Sequence, residues 1–201
     1  MLSVHSLLGV RSLCAVLRSA DAYISADEWR TVLAPRKVTF IKRHKGVIPI
    51  PIGGSVKGST LAYGDWGLRI KGDGVRLSAK QLTSAEEVIK RKIKVVKGAK
   101  VYLRVFPDIP VCIKGNETRM GKGKGTFEFW ATRVPTGRVI FEIGGTPIRE
   151  ELARDALRQA GNKLPTIMEF IDRKAPPRLG SSLLTSEAEE GSDATSSPTS
   201  S

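Results

Sequence analysis

The residues with the most conspicuous chemistry form one run, Arg119-Met120-Gly121-Lys122-Gly123-Lys124-Gly125, with three positive charges and three glycines in seven positions. Glycine removes side-chain bulk, so such a backbone can approach a surface closely and offer its amides to phosphates beside the two lysines. Arginine adds stacking and bidentate contact to a phosphate. A basic hairpin loop with no ligand is the plain alternative. Just beyond, Phe127 and Trp130 have rings that could stack on bases, although aromatic residues on a strand more often serve a core.

Other chemistries find little support. Gly53-Gly54-Ser55-Val56-Lys57-Gly58-Ser59-Thr60 lacks a lysine between its last glycine and the following serine. Gly121 to Thr126 has the wrong spacing for a phosphate loop and leads into a strand, whereas a phosphate loop must open a helix. The neighbouring acids Glu86 and Glu87 sit about 100° apart on a helix and cannot face one scissile bond. Two cysteines, Cys14 and Cys112, and two histidines, His5 and His44, have no companions at metal-ligand spacing. No catalytic set emerges and no cofactor is called for. The chain reads as a binding protein and not as an enzyme.

Charge says what it binds. The 201 residues carry 33 Lys and Arg against 20 Asp and Glu, a formal net charge of +13. Such an excess self-repels unless a polyanion neutralises it. Nucleic acid is favoured over a membrane, because no run approaches the roughly 18 apolar residues of a span. The basic residues are concentrated in the middle: positions 35–174 hold 29 basic and 13 acidic residues, a net of +16. Lys42-Arg43-His44-Lys45 is one basic cluster within them.

Positioning these residues requires a folded domain over 35–174. Ser78-Ala79-Lys80-Gln81 is a capping box, followed by Leu82, Ala85, Ile89, Ile93 and Val96 at helical spacing, with Gly98 as the stop. The opposite face carries Lys90, Arg91, Lys94 and Lys97, read as phosphate-facing in preference to a merely solvated charged face. Lys100 to Phe106 and Thr126 to Val134 read as strands. The turn Pro135-Thr136-Gly137 should return the latter to Arg138–Ile143 as a hairpin. A second helix is expected from Pro147, with Glu150 and Glu151 in its first turn, burying Ile148, Leu152 and Ala156, with Leu157 and Ala160 as further candidates, before stopping at Gly161 or Asn162. A last strand follows over Thr166–Ile171. Two helices interleaved with short, mostly hairpin-connected strands argue an α+β fold with the helices on one side of a mixed or antiparallel sheet.

The ends differ in character. Residues 1 to 20 contain Arg11, Arg18, four serines and no acid, the pattern of an amphipathic mitochondrial presequence, with a first structural helix or a secretory signal as alternatives. Residues 1–34 are therefore assigned to a presequence and N-terminal extension. From Ala175 to 201 the chain turns rich in Ser, Thr, Glu and Gly and is expected to be a disordered tail.

The order of these motifs carries a resemblance. Arg119-Met120-Gly121-Lys122-Gly123-Lys124-Gly125 with Trp130 beyond it resembles the signature loop of the bacterial-type ribosomal large-subunit protein sixteen family. Gly98-Ala99-Lys100-Val101-Tyr102-Leu103-Arg104-Val105-Phe106-Pro107-Asp108 is similar to that family's other signature, with Tyr102 where tryptophan is common. Further matches are Lys42-Arg43-His44-Lys45-Gly46, Gly67-Leu68, Leu77-Ser78-Ala79-Lys80-Gln81, Glu151-Leu152-Ala153-Arg154 and Lys163-Leu164-Pro165. Ile48-Pro49-Ile50-Pro51-Ile52 departs from the more polar bacterial pattern.

The resemblance implies a two-layer α+β sandwich with a hammerhead-like β element that binds large-subunit ribosomal RNA and has no catalytic residue. It implies a place beside the aminoacyl-tRNA cleft, with neighbouring large-subunit proteins. Arg119, Lys122 and Lys124 would lie near the peptidyl-transferase centre and bound tRNA, and Lys42 to Lys45 on ribosomal RNA. With the presequence pattern it implies a mitochondrial ribosome. A plastid ribosome, or a free RNA chaperone or RNA-modifying factor, is the alternative.

Overall fold

The computed structural model describes residues 33–184. The presequence assigned to residues 1–34 lies almost wholly outside them. The elements in chain order are β1 (Trp66–Ile70), β2 (Val75–Ser78), α1 (Ala79–Ile93), β3 (Lys100–Leu103), β4 (Ile109–Ile113), β5 (Thr126–Val134), β6 (Val139–Gly144), α2 (Glu150–Gly161), β7 (Met168–Asp172), β8 (Arg178–Leu179) and β9 (Ser182–Leu183).

α1 begins where local chemistry says it should. Ser78 closes β2 in extended conformation, its hydroxyl accepts from the Gln81 amide, and the Gln81 side chain accepts from the Ser78 amide. A cap of this kind contributes about 1 kcal/mol. Ala79, Leu82, Ala85, Ile89 and Ile93 form the buried stripe, and Lys90, Arg91 and Lys92 occupy the last turn, where the helix dipole favours cations. α2 starts later than its sequence pattern suggests. Arg149 is the N-cap, Pro147 lies outside the helix, and Ala153 joins the expected Ala156, Leu157 and Ala160 as buried residues, with Leu152 half-buried against the core. Small Ala153, Ala156 and Ala160 let α2 pack close against its neighbours.

The two helices cover a four-stranded sheet in the order β3-β6-β1-β7. Its core includes Leu68, Ile70, Ile140, Phe141 and Ile143 from the strands, with Leu82, Ile89, Ala156 and Leu157 from the helices. The helices are tied at the surface by Lys92 to Asp155 at 3.1 Å. The hydrogen bonds from Lys92 and then Gln159 hold the Asp155 carboxyl below its ordinary value. A second sheet, β2-β5-β4, is the β element outside this sandwich. Among the described residues every strand pair is antiparallel, the second of the two arrangements expected from sequence.

One connection corrects the sequence reading. β5 and β6 do not form a hairpin: β5 pairs with β2 and β4, while β6 pairs with β1 and β3. All six residues of β6 are buried, and a strand buried on both faces belongs at a sheet centre, not in a two-stranded ribbon. The Pro135-Thr136-Gly137 turn therefore passes the chain from one sheet to the other, with the Gly137 amide bonded to the Ile70 carbonyl at 2.9 Å.

The tail expectation also changes. Residues 178–183 form the β8–β9 hairpin. Arg178, only 7% exposed, is held by Glu169 at 2.8 Å, which also receives the 1% exposed Arg69. Arg69 further donates to the carbonyl of Pro176 at 2.9 Å. These buried charges fasten residues 176–181 to the sheet, so the described chain keeps its structure ten residues past Lys174. The remainder of the tail, from 185 on, lies outside the described residues.

Candidate nucleic-acid interface

The glycine-rich run lies in the loop between β4 and β5. Strand pairing holds its base: Ile113 faces Thr126, and a Cβ on Gly125 would stand 2.3 Å from the Ile113 carbonyl oxygen. Its tip turns through three consecutive left-handed residues, Gly121 (φ 88°), Lys122 (φ 57°) and Gly123 (φ 77°). Lys122 is the one non-glycine residue with positive φ among those described. Residues 119–124 are exposed, Met120 to 98%. Lys114 braces the loop by donating to the Gly121 carbonyl.

Of Phe127 and Trp130 beyond the loop, only Phe127 keeps partial exposure. Trp130 is buried, and Phe127 packs on it at 5.1 Å between ring centroids.

The N-terminal arm brings its cluster to the same place. Lys42 Nζ donates to the Lys124 carbonyl at 3.4 Å, and Lys124 Nζ donates to the Arg43 carbonyl at 2.6 Å. Arg43 reaches the Asp108 carbonyl at 3.1 Å, just before β4. Two runs 82 positions apart are thereby joined into one exposed basic patch that includes Lys42, Arg43, His44, Lys45, Arg119, Lys122 and Lys124. None of these side chains is ion-paired among the described residues. Lys42, Arg43 and Lys124 donate to neutral main-chain oxygens instead, which leaves their charge available to an anion.

The helical cluster is placed differently. Lys90, Arg91, Lys94 and Lys97 are all exposed, as expected. Lys90, however, is paired with Glu86 at 2.6 Å, and α1 ends at Ile93, so Lys94 is its C-cap and Lys97 belongs to the following turn. No hydrogen bond joins this group to the loop or the arm among the described residues. It is a separate, partly neutralised basic surface.

Sequence reasoning missed Arg76 and Arg133, which hold the arm from β2 and β5 through the carbonyls of Gly46 and Val47. They are far apart in sequence and meet only through strand register, so no local motif marks them. The described residues contain no group of three or more His, Cys, Asp or Glu able to hold a metal ion, and no helix long and apolar enough to cross a membrane.

A family model described as ribosomal protein L16p/L10e matches residues 35–171. The chain belongs to that family. It is 52% identical over 156 residues to the large ribosomal subunit protein uL16m of Schizosaccharomyces pombe, covering 78% of this chain and 73% of the relative. The uL16m protein of Neurospora crassa is 45% identical over 164 residues, covering 82% of this chain and 64% of the relative. The bacterial large ribosomal subunit protein uL16 of Leptospira biflexa is 42% identical over 142 residues, 71% of this chain and 98% of its own length. Within the L16p/L10e family the chain is of the mitochondrial type, and these relatives are large ribosomal subunit proteins. The matched span contains the loop, the arm from position 35, both helices and both large sheets.

Proposed function

We propose that this chain is a structural constituent of the large subunit of the mitochondrial ribosome, in the matrix, where its arm and loop bind large-subunit ribosomal RNA as one surface. The L16p/L10e membership and the uL16m relatives support the ribosomal assignment. The observation that carries the RNA contact is the joining of Lys42 and Arg43 to Lys124 in an exposed patch without carboxylate partners. Phosphates are the natural counterions of such a patch. The projecting tip, Arg119 to Lys124, shapes the tRNA-accommodation site beside the peptidyl-transferase centre, while Lys90, Arg91, Lys94 and Lys97 meet RNA elsewhere. The protein positions RNA and the RNA performs the reaction. Residues 1–34 deliver the chain to the organelle, residues 35–174 are the RNA-binding domain, and neighbouring large-subunit proteins complete its surroundings.

Sedimentation of detergent-lysed mitochondria at moderate salt tests the first part: the protein should comigrate with large-subunit RNA, and its remaining at the top of the gradient would overturn the assignment. The second part predicts that Lys122→Ala with Lys124→Ala impairs organellar protein synthesis more than subunit assembly, because the loop projects beyond the packed core. Normal synthesis at normal ribosome levels would refute it.

A further inference from the structure

Arg76 of β2 and Arg133 of β5 are direct cross-strand partners in the antiparallel register. Side chains so placed share one face with Cβ atoms about 4.5–5.5 Å apart, and like charges there repel. No carboxylate pairs with either guanidinium among the described residues. Each instead donates to a neutral main-chain oxygen of the arm, Arg76 to Gly46 at 2.8 Å and Arg133 to Val47 at 3.1 Å. Arginine has five N–H donors in a rigid fork, so most of the pair's donors remain unused. One of them, Arg76 Nε, is buried without a partner. Gly46, at φ 64°, fits the arm against the pair: a Cβ there would stand 2.3 Å from Arg133 Nη1.

A cross-strand arginine pair with no carboxylate and spare donors is incomplete without an anion. We propose that Arg76 and Arg133 form a phosphate clamp gripping the RNA backbone at a second point, distinct from the 119–125 loop. This rests on the reading of the chain as an RNA-binding protein. Two planar guanidinium forks suit the tetrahedral oxygens of one phosphodiester, and the phosphate charge removes their repulsion. The arm links the two points, because Lys42 and Arg43 meet the loop at Lys124 while Gly46 and Val47 rest on the clamp.

The test is binding of the full chain to a large-subunit ribosomal RNA transcript across a salt series. Each neutralised phosphate contributes roughly 0.7 to 0.9 to the slope of log affinity against log salt. Arg76→Gln with Arg133→Gln should weaken binding and reduce that slope by about one. Arg76→Lys with Arg133→Lys keeps the charge and should retain the slope while losing part of the affinity. Should the double glutamine variant not fold, Arg133→Gln alone, on an exposed residue, carries the same slope reading.

A wild-type slope in the glutamine variant, with Lys122→Ala/Lys124→Ala reduced, overturns the clamp and leaves RNA binding intact. Weaker binding at an unchanged slope assigns the pair to holding the arm and also overturns the clamp. Failure of the wild-type chain to bind RNA overturns both readings. Inorganic phosphate at constant ionic strength should bring the wild type down toward the affinity of the glutamine variant while leaving that variant unchanged, and an equal effect of phosphate on both would overturn the clamp.

Discussion

At the scale of single residues, Lys122 separates the demands of the fold from those of binding. A side chain at φ 57° is held in the left-handed region, which costs about 1 kcal/mol or more relative to glycine. Nothing in the fold needs the ammonium, since no hydrogen bond or ion pair of its side chain exists among the described residues. Lys122→Gly is therefore expected to leave the midpoint of chemical denaturation unchanged or slightly raised while weakening RNA binding, a combination read by urea unfolding and a binding titration on one preparation. A destabilised glycine variant would mean that the lysine serves the fold. The glycines were legible in sequence as making room for the backbone, and that holds at Gly125, where the opposite strand is close. At Gly121 and Gly123 the space is open and the requirement is the positive φ instead. The buried charges were not legible. Glu142, wholly buried, accepts from the amides of Ala62, Tyr63 and Gly64 and pairs with Arg104. Arg69 meets a carboxylate 100 positions away. Polar residues inside strands look like surface positions until the partner is known.

At the scale of elements, what could be read was local and what could not was a matter of pairing. The capping box of α1 and the bounds of β5 follow from adjacent residues. Whether β5 turns back on β6 or crosses to another sheet depends on which strands lie nearby, and the turn sequence Pro135-Thr136-Gly137 is compatible with both. β4 was hidden by Pro110, which breaks a strand pattern but is tolerated here because β4 is an edge strand. β8 and β9 were hidden in a polar composition; two residues each, they hold through Arg178 more than through their own ladder. That dependence gives a prediction. Arg178→Met removes charge-assisted bonds from a buried site and should cost about 2 kcal/mol in urea unfolding, with faster amide exchange in residues 177–183. Arg173→Met, which breaks an exposed pair with Asp65 at 3.4 Å, should cost well under 1 kcal/mol. Equal effects of the two substitutions would show that the Arg69–Glu169–Arg178 cluster does not hold the hairpin.

At the scale of the whole molecule, the domain is built to be incomplete alone. Its core is well formed, yet positions 35–174 carry a net charge of +16, and the basic patch, the arginine pair and the exposed end of α1 add repulsion that the seven described ion pairs do not cancel. Repulsion between exposed charges is screened over about 10 Å at 0.1 M salt and hardly at all at low salt. The free chain should therefore melt at a lower temperature in dilute buffer than at moderate salt, the reverse of a protein held together by surface ion pairs. RNA should act in the opposite sense. A ligand bound only by the folded state, at a hundred times its dissociation constant, adds about 2.7 kcal/mol. That gain must shrink as salt rises, because the same phosphate contacts are lost. Melting curves with and without the ribosomal RNA transcript should thus converge from opposite directions as salt increases. If the free chain were most stable at the lowest salt, self-repulsion would not be the dominant electrostatic term, and the charge excess would need another explanation than a missing polyanion.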